Sequence, residues 1–470
     1  MKNPSDSYLE SQPLSRTGLF LLILLDLLII LGIFLLDYKF GLIVLITIPF
    51  LLLSFSDLRI ALWLLIAFST LVVFYRGLVS AVMMVTLSSI LIFVFLAAYL
   101  KFCIRPWEIK KTYLNLPVAV FMAIVFFQAL RGIFSSYPLK WLGTELLAYL
   151  GFGMFFLVIN LCDKKETIRK FFQLMIVVAY YQVIVGIWNY FFVGHRIGGY
   201  LFGTFPSLIA LVLLNLSFYS KERSKKLTYL LLSLPPLLHL LFSFTRGYWL
   251  GFIGALVFSY GIYLLNSDYS LSRKFLKFAK GTVTFTLLVL ILGSSLHGFL
   301  IGGNFASLVA RRLTSSFSTK LSPETASNFE RLIEYEACWE RIKEKPILGY
   351  GIGYIHSFTD PFLRQRIHRW AVHQFYLMVT LKMGLIGLLA FLWIFYVFFR
   401  EGLRKSRNIQ SGYYRGLSFG FLANSVQLLI ISLTNHEFAS VVNTFYLAFT
   451  LGGVVIINAQ NDQISKEINS

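Results

Sequence analysis

The chain has 470 residues, 57% of them hydrophobic, 17% aromatic and only 14% charged, which is more apolar side chain than a soluble domain of this length can bury. A net charge of +20 would point to nucleic acid in a soluble protein, but in a membrane protein it reflects topology. The lipid bilayer is therefore the expected partner, and nucleic acid is not.

In chain order, apolar runs fall at 19–36, 40–55, 60–75, 79–100, 116–134, 143–161, 171–193, 203–219, 227–243, 248–265, 281–301, 372–399, 417–433 and 441–458. Each approaches the length a helix needs to cross a hydrocarbon layer of about 30 Å. Whole turns are apolar on every face, unlike the alternating strands of a membrane barrel. The fold class expected is an all-α polytopic membrane protein with about 12–14 transmembrane helices. The first run contains Asp26 and lacks a small-residue cleavage site, so it is read as a retained helix. Cys103, Cys162 and Cys338 are far apart, with neither metal-ligand spacing nor a bridge framework.

Every second connection is basic: Lys101/Arg105/Lys110/Lys111, Lys164/Lys165/Arg169/Lys170, Lys221/Arg223/Lys225/Lys226, Arg273/Lys274/Lys277/Lys280 and Arg400/Arg404/Lys405/Arg407/Arg415. Short basic loops stay in the cytoplasm, which puts both termini there and the intervening connections outside. The outward connection 301–371 is long and mixed, with ten Lys/Arg and seven Asp/Glu, and such a loop is more often functional than a linker. Within it, Ser327-Asn328-Phe329-Glu330 matches a capping box, Phe329, Leu332, Ile333 and Ala337 have helical spacing, and Pro346 is the stop. The expected organisation is an N-terminal helix bundle over 1–300, a loop module with an amphipathic helix over 301–371, and C-terminal transmembrane helices with a cytoplasmic tail over 372–470.

The outward connections carry the chemistry. Arg246 lies at a hairpin tip, followed by Gly247, Tyr248 and Trp249; it reads either as a snorkelling interfacial arginine with belt aromatics or as an anion contact beside a glycine. Pro235-Pro236 in the preceding run is expected to break helical hydrogen bonding. The turn Gly194-His195-Arg196-Ile197-Gly198-Gly199 suits phosphate or sugar, and equally a plain hairpin. The loop helix supplies Arg331, Glu334, Tyr335, Trp339 and Arg341, and the run Gly349-Tyr350-Gly351-Ile352-Gly353 lacks the strand–helix context of a nucleotide loop. It reads as backbone folded tightly against membrane helices. His373 opens the run that ends the loop, where the positive end of a helix dipole favours a neutral imidazole available as a base. His239 and His297 read as packing or helix–helix hydrogen bonds.

Arginines with one base, and few acids in the short outer loops, suit a polyanionic substrate with a hydroxyl to activate, such as a lipid-linked diphosphate sugar. Arginine can bind the departing diphosphate while histidine takes the hydroxyl proton. No Asp-x-Asp pair occurs, and neither a metal nor a cofactor is expected.

Three segments, FTRGYWLG at 244–251, NFERLIEYEACWERIKEKPILGYGIG at 328–353 and VHQFYLMVTLKMGLIGLLAF at 372–391, resemble the consecutive signatures of the O-antigen ligase and polymerase superfamily. The resemblance implies a GT-C-like architecture with one large helical periplasmic loop, in a bacterial inner membrane. It further implies an inverting, metal-independent glycosyltransferase that moves an undecaprenyl-diphosphate-linked glycan, such as O-antigen, onto lipid A–core. Carried over motif by motif, Arg246 and Arg331 would contact the diphosphate and His373 would be the general base; Arg196, Tyr248, Trp249, Trp339, Tyr350 and Gly351 are candidate substrate contacts. Polymerases and protein O-oligosaccharyltransferases of the same superfamily share this chemistry and differ in acceptor. The single late loop favours the ligase. A secondary transporter is the alternative from a different class; it would call for an internal repeat and polar groups near the midplane, whereas the basic residues here cluster at the outer surface.

Overall fold

The computed structural model describes residues 109–162, 164–192, 204–266, 323–359 and 365–469, with scattered residues from 58 to 99 and from 272 to 314. The chain forms two compact units, Met1–Ile109 and Lys110–Ser470. The second unit contains the helices α1 (Asn115–Phe134), α2 (Leu139–Leu161), α3 (Lys165–Phe192), α4 (Phe205–Tyr219), α5 (Arg223–Phe242), α6 (Arg246–Leu265), α7 (Pro323–Glu344), α8 (Phe375–Ser406), α9 (Gly412–Ile431) and α10 (Val441–Asn469). Six of them, α1, α2, α3, α6, α8 and α10, are long and apolar enough to cross a bilayer, so the chain is a multi-pass membrane protein. The expected runs before residue 109 and at 281–301 lie largely outside the described residues.

Polar pairs tie the helices together where burial would otherwise penalise an unpaired group. Asn215 of α4 donates to Ser259 of α6 at 3.0 Å, and Gln427 of α9 donates to Ser207 of α4 at 2.6 Å. His297 does bond another helix, through a 3.0 Å contact with the Tyr190 hydroxyl of α3. At the basic ends, Lys405 of α8 pairs with Asp462 of α10 at 2.7 Å, and Tyr414 of α9 donates to Glu166 of α3 at 3.3 Å.

One local expectation is corrected, and a second holds without ending its helix. α7 begins at Pro323, four residues before the apparent capping box, so Ser327 lies inside the helix. Proline is well suited to the first helical position. α5 also runs unbroken through Pro235 and Pro236. Pro236 has no N–H to give the Leu232 carbonyl, and the Tyr180 hydroxyl of α3 donates to that oxygen instead, at 2.6 Å.

The real helix break is in α8. Gly384 has φ +69° and ψ −174°, and the segment after α7 is stitched into the gap. Tyr350 N–H donates to Leu381 O at 2.9 Å and Gly351 N–H to Lys382 O at 2.8 Å; from the other side, Leu385 N–H donates to Pro346 O at 2.9 Å. Main-chain groups orphaned by the break are thus satisfied by another stretch of backbone, which apolar surroundings demand. A Cβ on Gly384 would lie 1.9 Å from Ile347 O, and one on Gly349, itself at φ +60°, 2.6 Å from Lys382 C. The seam is fastened to α1, whose Gln128 side chain donates to Leu348 O at 2.8 Å and whose Arg131 donates to Gly349 O at 3.2 Å.

Between this seam and α8 lies an antiparallel pair of strands, β1 (His356–Thr359) and β2 (Arg366–Arg369), with His356 opposite Arg369. The polar run Arg366–Arg369 gave no strand signal in the sequence. Its position matters because it carries His356 and Arg369 to the same stretch of α7, at Glu330 and Glu334.

Candidate active site

The site is built along α7. Asn328, Arg331 and Glu334 are three residues apart and therefore share one face of the helix. Each meets a different part of the chain. Asn328 Oδ1 accepts from Arg246 at 3.1 Å, Arg331 donates to the Thr434 carbonyl at 3.3 Å, and Glu334 Oε2 lies 2.7 Å from His373 Nδ1.

Arg246 starts α6. Trp249 helps hold that turn by donating its indole N–H to Leu240 O of α5 at 2.9 Å, while its ring packs on the apolar contact of α4, α5 and α6. Gly247 is required because a Cβ there would come within 2.5 Å of Thr434 Oγ1. The hairpin tip is thereby pressed against the connection 432–440.

His373 precedes α8, whose N-cap is Gln374, with its side chain accepting from Leu377 N–H. The main chain at this point is pinned to α9 by Phe375 N–H donating to Ser432 O at 3.0 Å. Below it, Phe375 packs against Phe391 and Phe438 at centroid distances of 5.1 and 5.2 Å, and these rings are fully buried. Phe375 and Phe438 each follow a histidine by two residues, so one aromatic cluster anchors both imidazoles of the site.

Glu334 is 0% exposed and heavily coordinated. Besides the imidazole, it accepts from His373 N–H at 3.2 Å, its Oε1 lies 3.1 Å from His356 Nε2, and Arg369 is 3.6 Å away. Burial acts to raise its carboxyl, but hydrogen bonds from His356 and His373, with their charges, hold it well below the usual carboxylate range. The Glu334 carboxylate lies 2.7 Å from Nδ1, closer than the Arg369 guanidinium at 3.2 Å from the same nitrogen, so it places the imidazole proton there and leaves Nε2 as the basic nitrogen. Among the described residues, His373 Nε2 has no hydrogen-bond partner. Arg369 completes the shell, bonded to Glu330 at 2.5 Å and lying over the Phe358 ring at 5.4 Å.

The connection 432–440 supplies a second imidazole. His436 is 6.2 Å from the His373 ring and 6.0 Å from the Trp370 ring, between centroids. Burial, then the proximity of His373, pulls it down to about 4. Next to it, Glu437 accepts from Asn443 at 2.5 Å and Thr204 at 3.3 Å and also meets Tyr248 and Asn435; burial outweighs these contacts and pushes its carboxyl up to about 7.

Of the residues singled out in the sequence, Arg246, Arg331, His373 and Tyr248 converge here. Trp249 packs in the helix interior, Trp339 is half exposed on α7, and Tyr350 and Gly351 belong to the seam with α8. Arg196 falls outside the described residues. The sequence did not single out Glu334 as the partner of His373, nor His356, His436 or Glu437. It also missed a fully buried ion pair, Lys382 with Glu145, in which Lys382 also donates to Trp370 O and Glu145 accepts from Gly353 N–H. A lysine inside an apolar run was the available signal, since such a charge needs a partner.

The fold and this arrangement define a polytopic membrane protein in which a carboxylate-bound histidine and two arginines line one face of α7. Residues 227–392 match the model of a family described as O-antigen ligase. A 187-residue stretch is 29% identical to a Rickettsia felis protein and 28% identical to a Rickettsia conorii protein, both described as "putative polysaccharide ligase". Each match covers 36% of this chain and 44% of the relative, so less than half of either relative's length is matched.

Proposed function

We propose that this protein is an inverting, metal-independent glycosyltransferase that moves an undecaprenyl-diphosphate-linked glycan onto lipid A–core at the periplasmic side of a bacterial inner membrane. The observation that carries the reading is the ladder on α7, which gathers Arg246, Arg331 and His373 from three separate motifs. All contributing helix ends belong to connections that the alternating basic loops assign to the outside. The matched family supports a transfer reaction.

In this mechanism the acceptor hydroxyl attacks the anomeric carbon opposite the diphosphate. Its proton passes to His373 Nε2 as the new C–O bond forms and the bond to the diphosphate oxygen breaks. Glu334 orients the ring and stabilises the imidazolium. Negative charge gathering on the leaving diphosphate is met by Arg246 and Arg331. Arg331 Nε is buried with no hydrogen-bond partner among the described residues, a donor that a diphosphate oxygen would satisfy.

The test is transfer by purified protein given undecaprenyl-diphosphate-linked glycan, with and without lipid A–core, in the presence of EDTA. Glycosylated lipid A made by the wild type, and lost in His373→Ala, Arg246→Ala and Arg331→Ala, is the expected result. Longer lipid-linked chains made without core would identify a polymerase. Normal transfer by His373→Ala would remove the proposed base.

A further inference from the structure

Resting on the proposed glycosyl transfer, we infer that His436 is a second substrate-contacting residue, whose imidazole Nε2 holds the acceptor's attacking hydroxyl beside His373. Its position is the first support. His436 stands on the connection that also receives Arg331, at Thr434 O, and the Arg246 turn, at Gly247, and its ring meets that of His373 edge-on, with centroids 6.2 Å apart. The phenylalanine two residues on is locked into the same aromatic cluster as Phe375.

The state of its two nitrogens assigns its role. Nδ1 is buried and has no hydrogen-bond partner among the described residues. An unpaired buried N–H is a rarer and costlier fault than an unpaired lone pair, so the proton belongs on Nε2. That nitrogen is not among the buried unpaired atoms, and no described residue bonds to it. His436 thus offers one N–H to the site, from a ring kept neutral by burial and by its neighbour His373.

A neutral donor adds no charge for a diphosphate, which the two guanidinium groups already suit. It does suit a hydroxyl oxygen. In the transfer step that oxygen gives its proton to His373 Nε2 and a lone pair to the anomeric carbon, while a remaining lone pair accepts from His436 Nε2–H. His436 keeps its proton throughout, so its function is to fix the direction of the attacking oxygen.

Two variants separate this role from packing. His436→Phe keeps the ring against Trp370 and removes the donor; His436→Gln restores an N–H near the same place. Steady-state transfer is measured with lipid A–core varied at saturating donor, and with donor varied at saturating acceptor. The expected result is a fall of about 10- to 100-fold in acceptor kcat/KM for His436→Phe, donor KM within about threefold of wild type, and partial recovery in His436→Gln. Acceptor kcat/KM within about threefold of wild type for His436→Phe, or equal losses in both variants, would overturn the inference while leaving the proposed function intact. Absence of turnover by the wild type with either acceptor would remove the function and this inference with it.

Discussion

Replacing Glu334 by Gln tests the chemistry of the site with almost no change of shape. The carboxylate is fully buried and receives both Nδ1–H and the main-chain N–H of His373, at 2.7 and 3.2 Å, as well as His356 at 3.1 Å. An amide has one acceptor oxygen in place of two. If that oxygen turns to His356, its NH2 faces His373 Nδ1, forces the proton to Nε2 and removes the basic nitrogen. If it turns to His373 the tautomer survives, but the negative charge that stabilises the imidazolium is gone. Comparable losses of the orienting acid cost about 10²- to 10⁴-fold in kcat, or about 3 to 5.5 kcal/mol of barrier at 1.36 kcal/mol per tenfold. The assay is single-turnover transfer from preloaded donor, with thermal unfolding in detergent as the control for structure. A Glu334→Gln variant that remains folded and turns over within about fivefold of wild type would refute the assignment of Glu334 as the residue that orients the base.

Glu437 gives a pH prediction. Its folded-state carboxyl lies near 7 and its ordinary value is 4.5, so the folded protein binds the extra proton and stability falls as pH rises from about 4.5 through 7, by at most about 3 kcal/mol. Melting temperature should therefore drop between pH 5 and 8, and Glu437→Gln should flatten that drop; an unchanged slope in the variant would discount the group. For the Lys382–Glu145 pair, either Lys382→Met or Glu145→Gln alone leaves a buried charge uncompensated, costing about 3 to 5 kcal/mol. The double variant should recover much of this, and additive losses in a double-mutant cycle would contradict the pairing. Gly384→Ala places a methyl group on the Ile347 carbonyl and strains a positive φ. It should lower the yield of folded protein in the membrane far more than Gly261→Ala, whose Cβ meets nothing within 4 Å.

Much of the fold was legible because it depends on local composition. A span needs only a sufficiently long apolar run, so α1 to α6 and α8 to α10 fall close to the runs read from sequence. Arg246, Arg331 and His373, which the structure gathers along α7, each stand in a motif short enough to recognise without the fold.

Local reading failed where more than one neighbour could satisfy the same rule. Ser327 has the residues of a capping box, but Pro323 starts the helix a turn earlier. Two prolines did remove a helical hydrogen bond from α5, yet the helix continued because a tyrosine from α3 supplied the missing donor. The interruption instead came at Gly384, where another strand of backbone could fill it. What the tertiary structure alone decided is which groups meet: Glu334 with His373, His436 across from that base, Lys382 with Glu145. Pairings between residues far apart in sequence leave no periodic trace, because their energy comes from removing two polar groups from water together. Composition could demand a partner for each charge, and only the packed chain could choose it.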